Sequence, residues 1–324
     1  MLSISSHQAQ GALLGLLIGD AVGVPYEFSR AQDLPEQSRL EMSPPQSFPR
    51  AHQGVPEGTW SDDGAQALAL LDSLLHDSDL DLNHFAANLV AWFEHGRFTP
   101  DGRVFDVGIQ TGNSLRDLAS GVSPEESGRG GERDNGNGSL MRAMGCLLVP
   151  FTSEQALVLR AMRQSLPTHS HARSQVACAL YCVTAWHLAL GSDSETALAD
   201  AFKKLPAFLP EDFIAELSSI QDARPQVPRG SGYVVDSFWA AWHAFASTNN
   251  FKDCVQVAVA LGGDTDTTAC IAGGLAGLKY ELAGLPRHWV SGLQGKNLAL
   301  ETLVKGWPTK KPGLLGRAKQ LFGR

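Results

Sequence analysis

Apolar residues recur at helical spacing along most of this chain, and alternating period-2 runs are almost absent. That pattern argues for an all-α domain and against a parallel sheet. Residues 64–76 (GAQALALLDSLLH) carry the helical period, as do 83–95, 172–190, 196–204 and 233–247. Residues 7–24 and 267–283 are rich in Gly, Ala and Leu, and small side chains let two such helices pack closely within a core. At 43% hydrophobic and 19% charged residues, the chain has enough apolar surface for a buried core and too little charge for disorder.

Four polar stretches read as loops: 29–58, 96–105, 120–138 and 221–232. The first is long enough to be functional rather than a plain connection. None separates compositionally different halves, so one domain is expected over residues 1–305. Residues 306–324 form a tail ending in KPGLLGRAKQLFGR, basic and weakly amphipathic, which reads as a solvated terminus.

The net charge of −8 and pI near 5.7 argue against a nucleic-acid-binding surface. They leave room for an anionic small ligand, provided that metal ions, helix N-termini or a few arginines help locally. The five cysteines, Cys146, Cys178, Cys182, Cys254 and Cys270, all sit in apolar stretches without a CxxC pair. Cys178 and Cys182, one helical turn apart, have the spacing of half a metal site, but buried structural thiols in a reducing cytoplasm are the plainer reading. The start, MLSISSHQ, has no basic n-region, and Asp20 interrupts the apolar run after Ala12, so neither a signal peptide nor a membrane span is expected.

The chemistry concentrates in two acidic clusters. GTWSDDGAQALALL places Ser61, Asp62 and Asp63 just before a helical pattern, where Ser and Asp are ordinary N-caps. Far along the chain, LGGDTDTTACIAGGLAGL repeats the situation: Gly262 and Gly263 permit a tight turn, Asp264 and Asp266 present alternate carboxylates, and Thr267 adds a hydroxyl. One cap does not need two carboxylates and an adjacent hydroxyl. Such oxygens are hard ligands, suited to Mg²⁺, Mn²⁺ or Ca²⁺ rather than Zn²⁺. Four aspartates balance the charge of two divalent ions, and such a pair can activate water and orient a substrate hydroxyl.

Other segments are less specific. Glu27, in GDAVGVPYEF, is a further candidate acid, whereas Asp20 reads as structural. In DNGNGSLMRAMG, Asn135 to Ser139 form a glycine-rich run feeding a helix expected to start near Ser139; such a junction can cradle a phosphate or be an ordinary loop and N-cap. His169 and His171, in PTHSHARS, stand at another helix start, as ligand contacts or as caps. No nucleophilic triad stands out.

The segments GALLGLLIGDAVGVPYEF, GTWSDDGAQALALLDSL, GRVFDVGIQTGNSL, NGNGSLMRAMG, THSHARS, GSGYVVDSFWAAWHAF and ALGGDTDTTACIAGGLAGLKYELAGLP, in that order, resemble the ADP-ribosylglycohydrolases, particularly the bacterial dinitrogenase-reductase-activating type. The resemblance implies a single compact, orthogonal all-helical bundle with two Mg²⁺ or Mn²⁺ ions. By motif position it assigns Ser61, Asp62, Asp63, Asp264, Asp266 and Thr267 as metal ligands, and places Glu27 near the metals. It assigns Asn137, Gly138, Ser139 and Met141 to an ADP-ribose loop, His169 to a ligand contact, and Asp106 to an acid beside the scissile ribose. Two departures stand out. Ser61 replaces a more usual Thr, and Gly64 stands where Thr or Ser is common, which is expected to loosen the surroundings of the ligands.

The expected activity is therefore metal-dependent hydrolysis of the glycosidic bond between ADP-ribose and a modified acceptor. Protein arginine is the first choice of acceptor; serine, nucleic acid or a small metabolite is the alternative. The implied partner is an ADP-ribosylated protein. A distinct reading makes the chain an immunity protein that blocks an ADP-ribosyltransferase toxin by binding, with segment 29–58 and the N-terminus as the places of contact.

Overall fold

The computed structural model describes residues 1–77 and 79–305. Thirteen α-helices follow one another among them: α1 (Ser6–Gly23), α2 (Asp62–His76), α3 (Leu82–His95), α4 (Ile109–Ala119), α5 (Glu154–Arg163), α6 (Ala172–Ala189), α7 (Ser194–Lys204), α8 (Glu211–Asp222), α9 (Val234–Ala246), α10 (Phe251–Ala260), α11 (Thr265–Tyr280), α12 (Arg287–Gly292) and α13 (Lys296–Val304). Strand-like pairing among the described residues is confined to four isolated bridges, so the fold is all-α. The basic tail expected at 306–324 lies outside the described residues.

Helices α4, α5, α8, α10, α12 and α13 fall outside the spans read from periodicity. Helix α8 fully buries only Leu217 and Ile220, while α10 is ten residues long and carries Phe251, Cys254, Val255, Ala258 and Val259 at a helical spacing that the expected spans overlooked. One further expectation fails. No α-helix starts near Ser139; the chain turns there and forms a short 3-10 helix over Ala143–Leu147. A helix N-terminus therefore does not exist at that point to cradle a phosphate.

The axis of the molecule is the pairing of α1 with α11. A Cβ added at Gly15 would lie 2.4 Å from the Gly273 carbonyl oxygen, and one at Gly19 would lie 2.0 Å from that of Ala269. Only glycine permits this approach. The pairing is also why α1 is buried on nearly every side. The window Ser6–Tyr26 is apolar and long enough to cross a membrane by composition, but 94% of it is buried inside the fold. It is a core helix. Its start is fixed by a reciprocal capping box between Ser5 and Gln8.

One contiguous apolar core runs from Ile4 to Leu303. Segment 29–58 is bound down onto it rather than projecting. Leu40, Met42 and Val55 are buried. The Tyr26 hydroxyl donates to the Glu41 carbonyl at 2.9 Å, and the Glu41 carboxylate meets Lys252, His288 and the Trp289 indole. All five cysteines are free and buried. The half-site suggested by Cys178 and Cys182 does not arise: their thiols donate to the Ser139 hydroxyl and the Ala143 carbonyl.

Candidate active site

Both acidic clusters open helices, and the α1–α11 pairing brings those two helix starts together. At the first, Asp20 on α1 accepts the Ser61 N–H at 2.9 Å and the Gly64 N–H at 2.8 Å. Its carboxylate thus ties α1 to the start of α2, a structural role reached across the fold rather than locally. Burial raises its pKa to about 7, with these hydrogen bonds opposing the rise. The Ser61 hydroxyl accepts the Asp63 N–H and does act as an N-cap. Gly64 does not loosen the site: a Cβ there would meet Leu17 at 2.6 Å and Trp60 at 2.7 Å, so packing requires glycine.

At the second cluster, Gly262 and Gly263 adopt φ of +73° and +72°, the left-handed region that favours glycine. The turn is clamped on both sides. Phe28 donates to the Gly263 carbonyl and Gly263 to the Ser29 carbonyl, both at 2.7 Å, while Asp264 donates to the Gly230 carbonyl at 3.0 Å. These bonds set Glu27 beside Asp264. Helix α11 begins at Thr265, two residues before the small-residue run expected from 267, and the Asp264 side chain makes no capping bond. It accepts instead from the Asn137 amide at 2.7 Å, and that amide also donates to Ser237 at 2.9 Å.

Asp63 and Asp266 are buried, and each keeps one carboxylate oxygen without a hydrogen-bond partner. The Thr267 hydroxyl donates to the other oxygen of Asp63 at 3.2 Å, and Asp62 accepts from the Gln66 amide at 2.9 Å. Burial, reinforced by the charges of neighbouring carboxylates, drives Asp62, Asp63 and Asp266 well above the usual carboxylate range. Ligand atoms of Asp20, Asp63 and Asp266 lie within 4.8 Å of one another, as do those of Glu27, Asp264 and Asp266. Buried carboxylates with unsatisfied oxygens are costly unless a cation compensates them, so the residues present fit hard divalent cations.

A third group comprises Glu27, Asp106 and His52. His52 Nε2 lies 2.5 Å from Glu27 and 3.8 Å from Asp106. Burial raises Glu27 to about 8 against the opposing effect of the His52 bond, and burial also raises Asp106. Phe28, His52 and Asp106 all hold positive φ, at +62°, +50° and +58°. Such strain in non-glycine residues gathers at functional sites.

The remaining candidates form a layer beside these acids. His169 is buried, with its ring nitrogen 2.8 Å from the Thr168 hydroxyl; burial lowers its pKa to about 3, so it is neutral. Its ring packs under the glycine-rich loop, where a Cβ at Gly138 would meet it at 2.8 Å. Ser139 and Met141 point into the core. The Ser139 hydroxyl takes a bond from Ser165 at 2.8 Å, and Met141 is 3% exposed, so their side chains shape the loop from below. His171 is the N-cap of α6 and accepts the Arg173 N–H.

Sequence reasoning missed His52 and Arg142. His52 is a single histidine in a polar loop and carries no motif. Arg142 sits within DNGNGSLMRAMG, but only the fold shows that it is wholly buried and bonded to Gln66, Gln164 and Thr168.

A profile of the ADP-ribosylglycohydrolase family matches residues 3–315. The chain is 36% identical over 286 residues to ADP-ribosylarginine hydrolase Tri1 of Pseudomonas putida (strain GB-1), covering 87% of this chain and 73% of that relative. It is 28% identical to the ADP-ribosyl-[dinitrogen reductase] glycohydrolase of Rhodospirillum rubrum, over 89% of this chain and 91% of that one. Among solved structures it is similar to one described as an ADP-ribosylglycohydrolase-related protein complex, with a TM-score of 0.70 at 27% identity, covering 92% and 96% of the two chains.

Proposed function

The chain belongs to the ADP-ribosylglycohydrolase family, and from that premise we propose that it removes ADP-ribose from modified arginine side chains of proteins, in a reducing cytoplasm. The observation that carries the chemistry is the convergence of buried carboxylates with unpartnered oxygens, Asp63 and Asp266, beside the separate acid pair Glu27 and Asp106. The acceptor rests on the similarity to arginine hydrolases.

In the reaction, a water oxygen bonds to the anomeric carbon of the ribose. The carbon–nitrogen bond to the guanidinium breaks, and the leaving nitrogen keeps the electron pair and gains a proton. Two divalent cations, Mg²⁺ or Mn²⁺, would be held by Asp62, Asp63, Asp264 and Asp266 with the Ser61 and Thr267 hydroxyls, and would polarise ribose hydroxyls and water as Lewis acids. Glu27, whose carboxyl burial raises in the cation-free protein, stands where its Oε can pass a proton to the leaving nitrogen. Asp106 has an 18% exposed side chain against 5% for Glu27, and is the group of the pair better placed to meet incoming water. Asn137 holds Asp264 in register through its 2.7 Å bond. The loop over Gly136 and Gly138 lies on His169 and offers a floor for the ADP-ribose.

The test is a substrate panel: ADP-ribosyl-arginine, ADP-ribosyl-serine, ADP-ribosylated nucleic acid and a free ADP-ribosyl metabolite, each with Mg²⁺ or Mn²⁺. Release from arginine that stops on chelation is the expected result. Unchanged activity in Asp264→Ala or Asp62→Ala would sink the site assignment. Protection of cells from an ADP-ribosylating toxin by the inactive Asp264→Ala variant would favour occlusion over turnover.

A further inference from the structure

The acids Glu27 and Asp106 lie on different loops, and each has an aromatic neighbour in the chain: Phe28 follows Glu27 and Phe105 precedes Asp106. The rings of both pack against His52. Ring centroids are 5.9 Å apart for Phe28 and His52 and 5.1 Å apart for His52 and Phe105, with the rings tilted by 51° and 55°. Gripped between them, the imidazole points Nε2 at Glu27, 2.5 Å away, with Asp106 at 3.8 Å.

The loop carrying His52 is tied to both acid-bearing segments. Ala51 donates to the Pro25 carbonyl at 3.0 Å, two residues before Glu27. Arg103 donates to the Gly54 carbonyl at 2.5 Å, three residues before Asp106. Arg50 closes the loop on itself through the Val55 carbonyl at 2.9 Å. His52, Phe28 and Asp106 each occupy the left-handed region, a strain that surrounding contacts must offset. Nothing in core packing asks for this, since the His52 side chain is 15% exposed and that of Phe28 is largely in solvent.

We propose that His52 is a positioning residue: it fixes the Glu27 carboxyl by a hydrogen bond from Nε2 and, through the two phenylalanine rings, holds Glu27 and Asp106 as one unit. This rests on the reading of Glu27 and Asp106 as the proton-handling pair. The bond is made by the far ring nitrogen, so the side chain that can replace it is one whose nitrogen reaches equally far. Glutamine does; asparagine, which mimics the near nitrogen, does not.

The experiment compares His52→Gln, His52→Asn and His52→Leu in the full chain with bound divalent cation. In His52→Asn and His52→Leu, kcat is expected to fall about 10- to 100-fold, as for misplaced catalytic groups, with KM changed by less than about threefold. His52→Gln is expected to recover most of the loss. Equal losses in all three variants, or a loss confined to KM, overturn the proposal. A second arm needs no substrate. In spectra of ¹⁵N-histidine-labelled protein, Glu27→Gln is expected to shift the His52 Nε2 resonance, and an unmoved resonance overturns the contact. Wild type inactive on every substrate of the panel would count against the activity reading, while the spectra still decide the His52 contact.

Discussion

Arg142 donates to Gln66 across 2.6 Å inside the core, and that bond is the middle of a chain linking the two halves of the site. Gln66 donates onward to Asp62 at 2.9 Å. On its other side, Arg142 donates to the Thr168 hydroxyl at 2.8 Å, and Thr168 contacts the His169 ring at 2.8 Å. Asp62 and His169 are thereby joined through three buried side chains. Burial pulls the Arg142 pKa down to about 10, which leaves the guanidinium charged at neutral pH.

Replacing Arg142 with Met removes that charge but strands the oxygens of Gln66, Gln164 and Thr168. Each unsatisfied buried group costs about 1–3 kcal/mol, so urea denaturation should show a loss of about 3 kcal/mol or more. Arg142→Lys should lose less than Arg142→Met but still fall short of wild type, because one ammonium cannot span the three partners.

Asn137 touches Asp264 at 2.7 Å and Ser237 at 2.9 Å. Asn137→Ala should leave the fold intact and lower divalent-cation affinity or activity about 10- to 100-fold, the usual cost of losing a group that orients a ligand. Calorimetric titration with Mn²⁺ checks it. Unaltered affinity together with unaltered turnover would show that Asp264 needs no such support.

The surroundings of two helical glycines predict opposite outcomes for their change to alanine. Gly19→Ala places a methyl 2.0 Å from a backbone oxygen that cannot rotate away, and should cost about 3 kcal/mol or prevent folding. In Gly112→Ala, on α4, the new methyl finds its nearest neighbour, Val107, at 3.5 Å. That helix should gain about 0.5–1 kcal/mol from improved propensity. Thermal melts of the two variants distinguish a glycine needed for close approach from one that is not.

The buried acids give the chelated protein a defined pH dependence. Asp20 rises from 3.8 to about 7 and Glu27 from 4.5 to about 8 on folding. A carboxyl whose folded pKa is raised binds protons more tightly in the native state. Its contribution is therefore complete below pH 4 and is lost as pH rises towards 8. His169, depressed from 6.5 to about 3, works in the opposite sense, losing its contribution as pH falls through that range. Melting temperature of the chelated protein should thus fall between pH 6.5 and 8, where the raised carboxyls and His52, itself raised by its bond to Glu27, act in the same sense. Mn²⁺ should restore it at pH 8 and do little at pH 4.5, where protonated carboxyls no longer bind the ion. A flat profile, or equal stabilisation by Mn²⁺ at both pH values, would contradict the clustering of these acids.

Much of this protein was legible without coordinates. Helical spacing of apolar residues identified α2, α3, α6, α7 and α9, while α1 and α11 showed as runs rich in Gly, Ala and Leu, buried on nearly every side. The paired Asp62-Asp63 and Asp264-Asp266 clusters were visible as excess carboxylates at helix starts. Helix α8 was not, although Phe213, Ile214, Leu217 and Ile220 stand at helical spacing; only the last two are fully buried. The helix expected near Ser139 was wrong because a polar, glycine-rich run followed by apolar residues does not distinguish a helix from buried 3-10 turns.

The sequence by itself determined the kind of groups available: carboxylates and hydroxyls in two clusters, an all-α scaffold to carry them, and glycines where helices must touch. Tertiary structure alone decided which groups meet. The approach of α1 to α11 brings Asp20, Asp63 and Asp266 within 4.8 Å, and the clamped Gly262-Gly263 turn sets Glu27 beside Asp264. His52 and Arg142 acquire their partners only through long-range packing. Spacing along a chain reports neighbours within a helical turn, whereas a site built from many separate segments is defined by contacts that spacing does not contain.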